Sequence, residues 1–141
     1  MKDIVDLIGR VLLGFIFIYE AIDSILYFRK TKQLMTDYGL NFQQDLLLIG
    51  AICILLLGGT LLLIGYRSSF GVVLLLLYWI PITFIVHSWW NDPVPEQRLE
   101  AIGFMKNMAI AGGLLMVYVN GSGKYSIKTL LANTRVPKRF R

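Results

Sequence analysis

The chain has one cysteine, Cys53, and one histidine, His87, in 141 residues. A single thiol excludes an internal disulfide framework, a multi-cysteine metal cluster and a Cys-x-x-Cys redox pair. A single imidazole excludes bis-histidine haem ligation within one chain. There is no c-type haem motif and no glycine-rich dinucleotide signature. Charge is scarce as well, at 16% of residues, while hydrophobic residues make up 56% and the mean hydropathy is +0.63. A chain this short has too little interior to hide that much apolar surface from water. Its apolar runs instead describe a small polytopic membrane protein.

The cleanest run is Leu46 to Tyr66, twenty-one residues without a charge between Asp45 and Arg67. At about 1.5 Å per residue it covers the roughly 30 Å hydrocarbon core. Ser68 to Asn91 also lacks Asp, Glu, Lys and Arg, and ends in Trp89 and Trp90, rings that favour the headgroup region. A third run, Asn107 to Gly123, reaches full span by starting near Ala101, after a loop at Asn91-Asp92-Pro93-Val94-Pro95-Glu96. The N-terminal stretch, Ile4 to Phe28, is interrupted by Arg10, Glu20 and Asp23. It reads as a retained span rather than a cleaved signal peptide, since it lacks a small-residue cleavage site.

These runs predict an all-α integral membrane protein, a four-transmembrane-helix bundle with both termini on one side. Nine Lys and Arg residues fall on the side of the termini and the Tyr66–Ser69 turn, and five on the other. That balance predicts an N-in, C-in arrangement in a bacterial cytoplasmic (inner) membrane. Between the first two spans, residues 29–45 form either an ordinary exposed connection or, through Leu34, Met35, Tyr38 and Phe42, a short interfacial helix. The expected organisation is a transmembrane domain over residues 1–123 and a basic cytoplasmic tail over 124–141. Topology and anionic headgroups account for the tail's charge, so the lipid bilayer is the expected partner and nucleic acid is not.

Charges inside a span must face the bundle, a wet cavity or the interface. Glu20 and Asp23 are three residues apart and share one helical face. Antiparallel threading brings them to the depth of His87, Lys106 and Asn107. These five form a candidate polar or ligand site: the acids can take a proton or orient His87, and Lys106 can neutralise a carboxylate or bind a ligand oxygen. The alternative role for the same residues is to fix helix packing. Arg10 is expected to snorkel towards headgroups or to pair within the bundle. Tyr78, Trp79, Pro81, Met116 and Tyr118 are candidates for lining a hydrophobic groove. Gly112 and Gly113, like Gly58-Gly59, Gly9 and Gly14, favour close backbone approach, within the bundle or in a homo-oligomer. No metal site is read from these residues.

The ordered pattern resembles the DoxX family of small four-helix membrane proteins. The resemblance runs through Arg10-Val11-Leu12-Leu13-Gly14-Phe15-Ile16-Phe17 and His87-Ser88-Trp89-Trp90. It is strongest at Phe104-Met105-Lys106-Asn107-Met108-Ala109-Ile110-Ala111-Gly112-Gly113-Leu114-Leu115, followed by Gly121-Ser122-Gly123-Lys124-Tyr125-Ser126. After Phe17, where the family often has a glycine and a basic or histidine-containing segment, this chain has Glu20 and Asp23. The resemblance therefore does not imply a family active site retained unchanged. The family includes a subunit associated with thiosulfate-to-quinone oxidation. The resemblance implies an accessory membrane subunit of a redox system, docking an oxidoreductase and shaping a site for a quinone, with no other cofactor implied. A small proton-coupled transporter and a noncatalytic scaffold or stability factor are the alternatives.

Overall fold

Tyr27 ends the first apolar stretch and is followed by Arg29-Lys30-Thr31-Lys32, which cannot continue into hydrocarbon, and there the backbone turns. In the computed structural model, which describes residues 1–135, α1 (Lys2–Leu26) and α2 (Phe28–Asp37) meet at this elbow with a bend of 96°. They are followed by α3 (Gln44–Ile64), α4 (Ser68–Val86), a 3-10 turn at Trp89–Asn91, α5 (Val94–Asn120) and α6 (Ile127–Arg135). Every regular element among the described residues is helical. The Val136-Pro137-Lys138 stretch of the tail lies outside the described residues.

Among the described residues, three helices are long and apolar enough to cross a membrane: α3, α4 with its following turn, and α5. The bent pair α1 and α2 meets the same measure when taken together, so there are three or four candidate spans. α2 has no buried residue, and its polar side reaches the start of α3. There Lys32 Nζ lies 2.8 Å from Asp45 Oδ1, and Gln44 Nε2 donates to Thr36 Oγ1 at 2.8 Å.

α1 packs on α3, α3 on α4 and α4 on α5, each pair antiparallel. Close approach at glycine sets the first two contacts. Gly14 lies against Gly59 and Leu63, and Gly58 against Gly71 and Leu75; a Cβ on Gly14 or Gly58 would come within 2.7 or 2.6 Å of the facing leucine. Van der Waals contact of this kind replaces the aqueous hydrophobic effect inside a membrane. Phe17, Ala21, Leu55, Leu62, Val72, Leu75 and Leu114 fill the interior with no exposed surface, and Phe17 meets Trp79 edge to face at 5.1 Å.

The segment around Pro93 and Pro95 differs from its reading as a loop. α5 begins at Val94, with Pro95 in its first turn. Proline is tolerated there because the first N–H groups of a helix have no intrahelical partner. The 27-residue α5 thus starts well ahead of Ala101 and takes in Glu100.

Candidate functional site

Polar side chains gather in two layers, one at the end carrying the termini and one at the end carrying the elbow. At the terminal end, Arg10 is fully buried. Its Nε donates to Asp6 Oδ2 at 3.2 Å, Nη1 to the Leu62 carbonyl at 3.3 Å and Nη2 to the Tyr125 carbonyl at 2.7 Å. One guanidinium thus ties α1, α3 and the segment after α5. Gly65, at φ +68°, leaves the space that Arg10 occupies. Buried Ser68 and Ser122 add a hydroxyl–hydroxyl bond of 3.1 Å between the start of α4 and the same segment. Of the two roles open to Arg10, the structure selects pairing within the bundle.

Nearer the elbow end, three residues close a ring between α4 and α5. Trp79 Nε1 donates to the Asn107 carbonyl at 3.0 Å, Asn107 Nδ2 to Thr83 Oγ1 at 3.2 Å, and Thr83 Oγ1 to the Trp79 carbonyl at 2.6 Å. One turn further on, His87 Nδ1 lies 2.7 Å from Glu100 Oε2. The imidazole fits because Gly103 has no side chain: a Cβ there would lie 2.7 Å from His87 Cε1. Phe84, Trp90 and Phe104 stack edgewise or tilted beside it, with centroids 5.2 to 6.2 Å apart. Close to this end, burial first and then the carboxylates of Glu100, Asp92 and Asp37 push the Tyr38 phenol above its ordinary value.

The five sequence candidates therefore separate. His87 and Asn107 are engaged in α4–α5 contacts. Glu20 is half-buried on α1, within electrostatic reach of Asp23 and Tyr78, and Asp23 is exposed. Neither acid has a cation within ion-pair distance among the described residues. Lys106 is exposed on α5 and is likewise unpaired. Leu13 touches Gly113, and seven residues beyond that contact, on antiparallel helices, stand Glu20 and Lys106. They reach a common height about 10 Å from it but form no ion pair. The groove candidates are dispersed too. Trp79 is buried, Tyr78 is half-buried and Gly113 packs on Leu13, whereas Pro81, Gly112, Met116 and Tyr118 are exposed.

Asp6, Thr83, Glu100, Ser68 and Ser122 are the partners that sequence reasoning missed. Asp6 carries a signal, since it lies four residues before Arg10 on one helix. Glu100 is hidden by starting the span at Ala101, which leaves it in the connection.

An antiparallel bundle closed by a buried arginine at one end and a histidine–carboxylate pair at the other defines a small helical membrane protein. The DoxX family model matches residues 5–88, and the chain belongs to that family. Relatives include inner membrane protein YqjF of Escherichia coli, 28% identical over 93% of this chain and 95% of its own length. Inner membrane protein YphA of the same organism is 26% identical over 89% of each chain. A Surfeit locus protein 4 homolog of Schizosaccharomyces pombe is 30% identical over 48% of this chain and 23% of its own length. No solved structure matches. The chain is a multi-pass protein of the inner membrane.

Proposed function

We propose that the chain is an accessory subunit of a membrane redox system, a four-span bundle with both termini in the cytoplasm, which docks an oxidoreductase at its elbow end and seats a quinone beside Glu20. The observation that carries this reading is Glu20 itself, a half-buried carboxylate on a membrane helix without a paired cation among the described residues. An ionisable group at that depth is costly, and groups retained in spite of that cost mark ligand and proton pathways. Tyr78, within its electrostatic reach, has a hydroxyl without a hydrogen bond among the described residues, to Glu20 or to any other group. A hydroxyl donor and a carboxylate acceptor at an apolar wall suit a quinone head, with Tyr78 donating to a carbonyl oxygen and Glu20 accepting from a quinol hydroxyl. Bound there, a quinone supplies carriage of electrons and protons between membrane partners. Fully buried Phe17, Leu55, Leu75 and Leu114 separate the polar layers at the two ends, which supports this role over a transporter.

Gentle extraction of the full chain from membranes, followed by quinone analysis and identification of co-purified proteins, tests the reading. Wild-type protein should carry a quinone and an oxidoreductase, and Glu20→Gln should lose the quinone while keeping the partner. Recovery of neither from wild type contradicts it.

A further inference from the structure

We propose that the outer face of α5 seats an anionic phospholipid, its phosphate held between Lys106 and Arg98 and an acyl chain lying along Ala101, Met105 and Ala109. These residues, with Ile102, line an open groove of about 620 Å³. Its spacing of three, four, seven, eight and eleven residues from Arg98 puts the lining on one side of the helix, away from buried Ala111 and Leu114. The groove has an apolar floor and cations at two points, and neither cation is paired with a carboxylate among the described residues. Glu100 is engaged by His87 on another side of the helix. Glu96, also near Arg98 in sequence, is exposed in the first turn of α5.

The geometry favours a lipid as occupant. Side chains on a helix lean towards its N-terminus, and the N-terminus of α5 is the elbow end, where Trp89 and Trp90 mark the interface. The Lys106 stem therefore carries its ammonium out of the hydrocarbon along the roughly 12 Å of helix that separates its Cα from that of Arg98. The exposed Arg98 stem closes the remaining gap by folding back against this lean, so that both cations reach one phosphate. An acidic lipid presents its phosphate at the headgroup level and its chains below it. Small side chains at Ala101 and Ala109 leave space for a chain against the helix. A second copy of this protein would have to bring a carboxylate to the same depth. This site is separate from the Glu20–Tyr78 seat and stands whether or not a quinone binds.

The test uses the full chain in phosphatidylcholine nanodiscs doped with phosphatidylglycerol, with native mass spectrometry after release. Wild type should retain one phosphatidylglycerol, and retention should fall about five-fold for each cation removed in Arg98→Gln and Lys106→Gln. Arg98→Lys with Lys106→Arg should keep it, Lys128→Gln at the opposite end should leave it unchanged, and inorganic phosphate should not displace it. Undiminished retention in the double glutamine variant would overturn the proposal. So would an equal loss in Lys128→Gln, displacement by inorganic phosphate, or a Lys106-dependent dimer mass in place of bound lipid.

Discussion

Arg10 has no exposed surface and donates to three acceptors on three different parts of the chain. Truncating one member of such a buried arrangement leaves the others without compensation, at a cost on the order of 3–5 kcal/mol. Arg10→Ala should therefore lower the unfolding temperature in mild detergent steeply or abolish recovery of folded protein. Arg10→Lys should fall between, because an ammonium cannot fan out to the same three acceptors; an unchanged midpoint for Arg10→Ala would contradict the clasp. Asn107→Leu removes the bond to Thr83 and should cost about 1–2 kcal/mol by the same measurement. The charge of Arg10 within an apolar segment is plain in the sequence. Its acceptors are not: two are backbone carbonyls, 52 and 115 residues away, and a carbonyl has no residue signature. His87 likewise stands out as the lone imidazole, but its partner Glu100 becomes visible only once α5 is known to begin at Val94.

Glycines that look alike in the sequence behave differently as parts of helices. Gly14 and Gly58 touch a neighbouring helix, whereas a side chain on Gly112 would meet open space. Gly14→Leu and Gly58→Leu should thus destabilise by about 1–3 kcal/mol through overpacking, and Gly112→Leu should stay within about 0.5 kcal/mol. Thermal unfolding of the three variants side by side checks this contrast, and equal losses at Gly14 and Gly112 would contradict the packing described. Periodicity and hydropathy were enough to locate α3 and α4, because each is bounded by charge or by a turn. Between the first two spans they left a short helix and an exposed connection equally open, and α2 ends at Asp37, before Tyr38 and Phe42. They misplace the start of α5, since a proline in a first turn and a proline in a loop read the same without the helix that follows. They also cannot separate lipid-facing from buried positions in α3, in α4 and in α5 beyond Asn107, which are apolar all round. The groove assembled from Tyr78, Pro81, Gly112, Met116 and Tyr118 is dispersed for that reason.

For the molecule as a whole, the positive charge divides between the ends, and the proposed topology places α2 and the Trp89–Asn91 turn outside the cytoplasm. On a Cys53→Ala background, Phe42→Cys should react with a membrane-impermeant maleimide in intact cells, and Tyr66→Cys only after lysis; the reverse pattern would contradict the orientation. Four antiparallel helices with an apolar centre leave few polar groups free on the elbow half among the described residues, and Glu20 and Tyr78 are half-buried there. The most direct test is photolabelling of the full chain in nanodiscs with a photoreactive quinone, followed by peptide mapping. Saturable labelling of the α1 segment from Phe17 to Ser24 and of Tyr78, abolished in Glu20→Gln and by excess unlabelled quinone, is the predicted result. Labelling spread evenly over the lipid-facing helices, or indifferent to Glu20→Gln, would contradict the account.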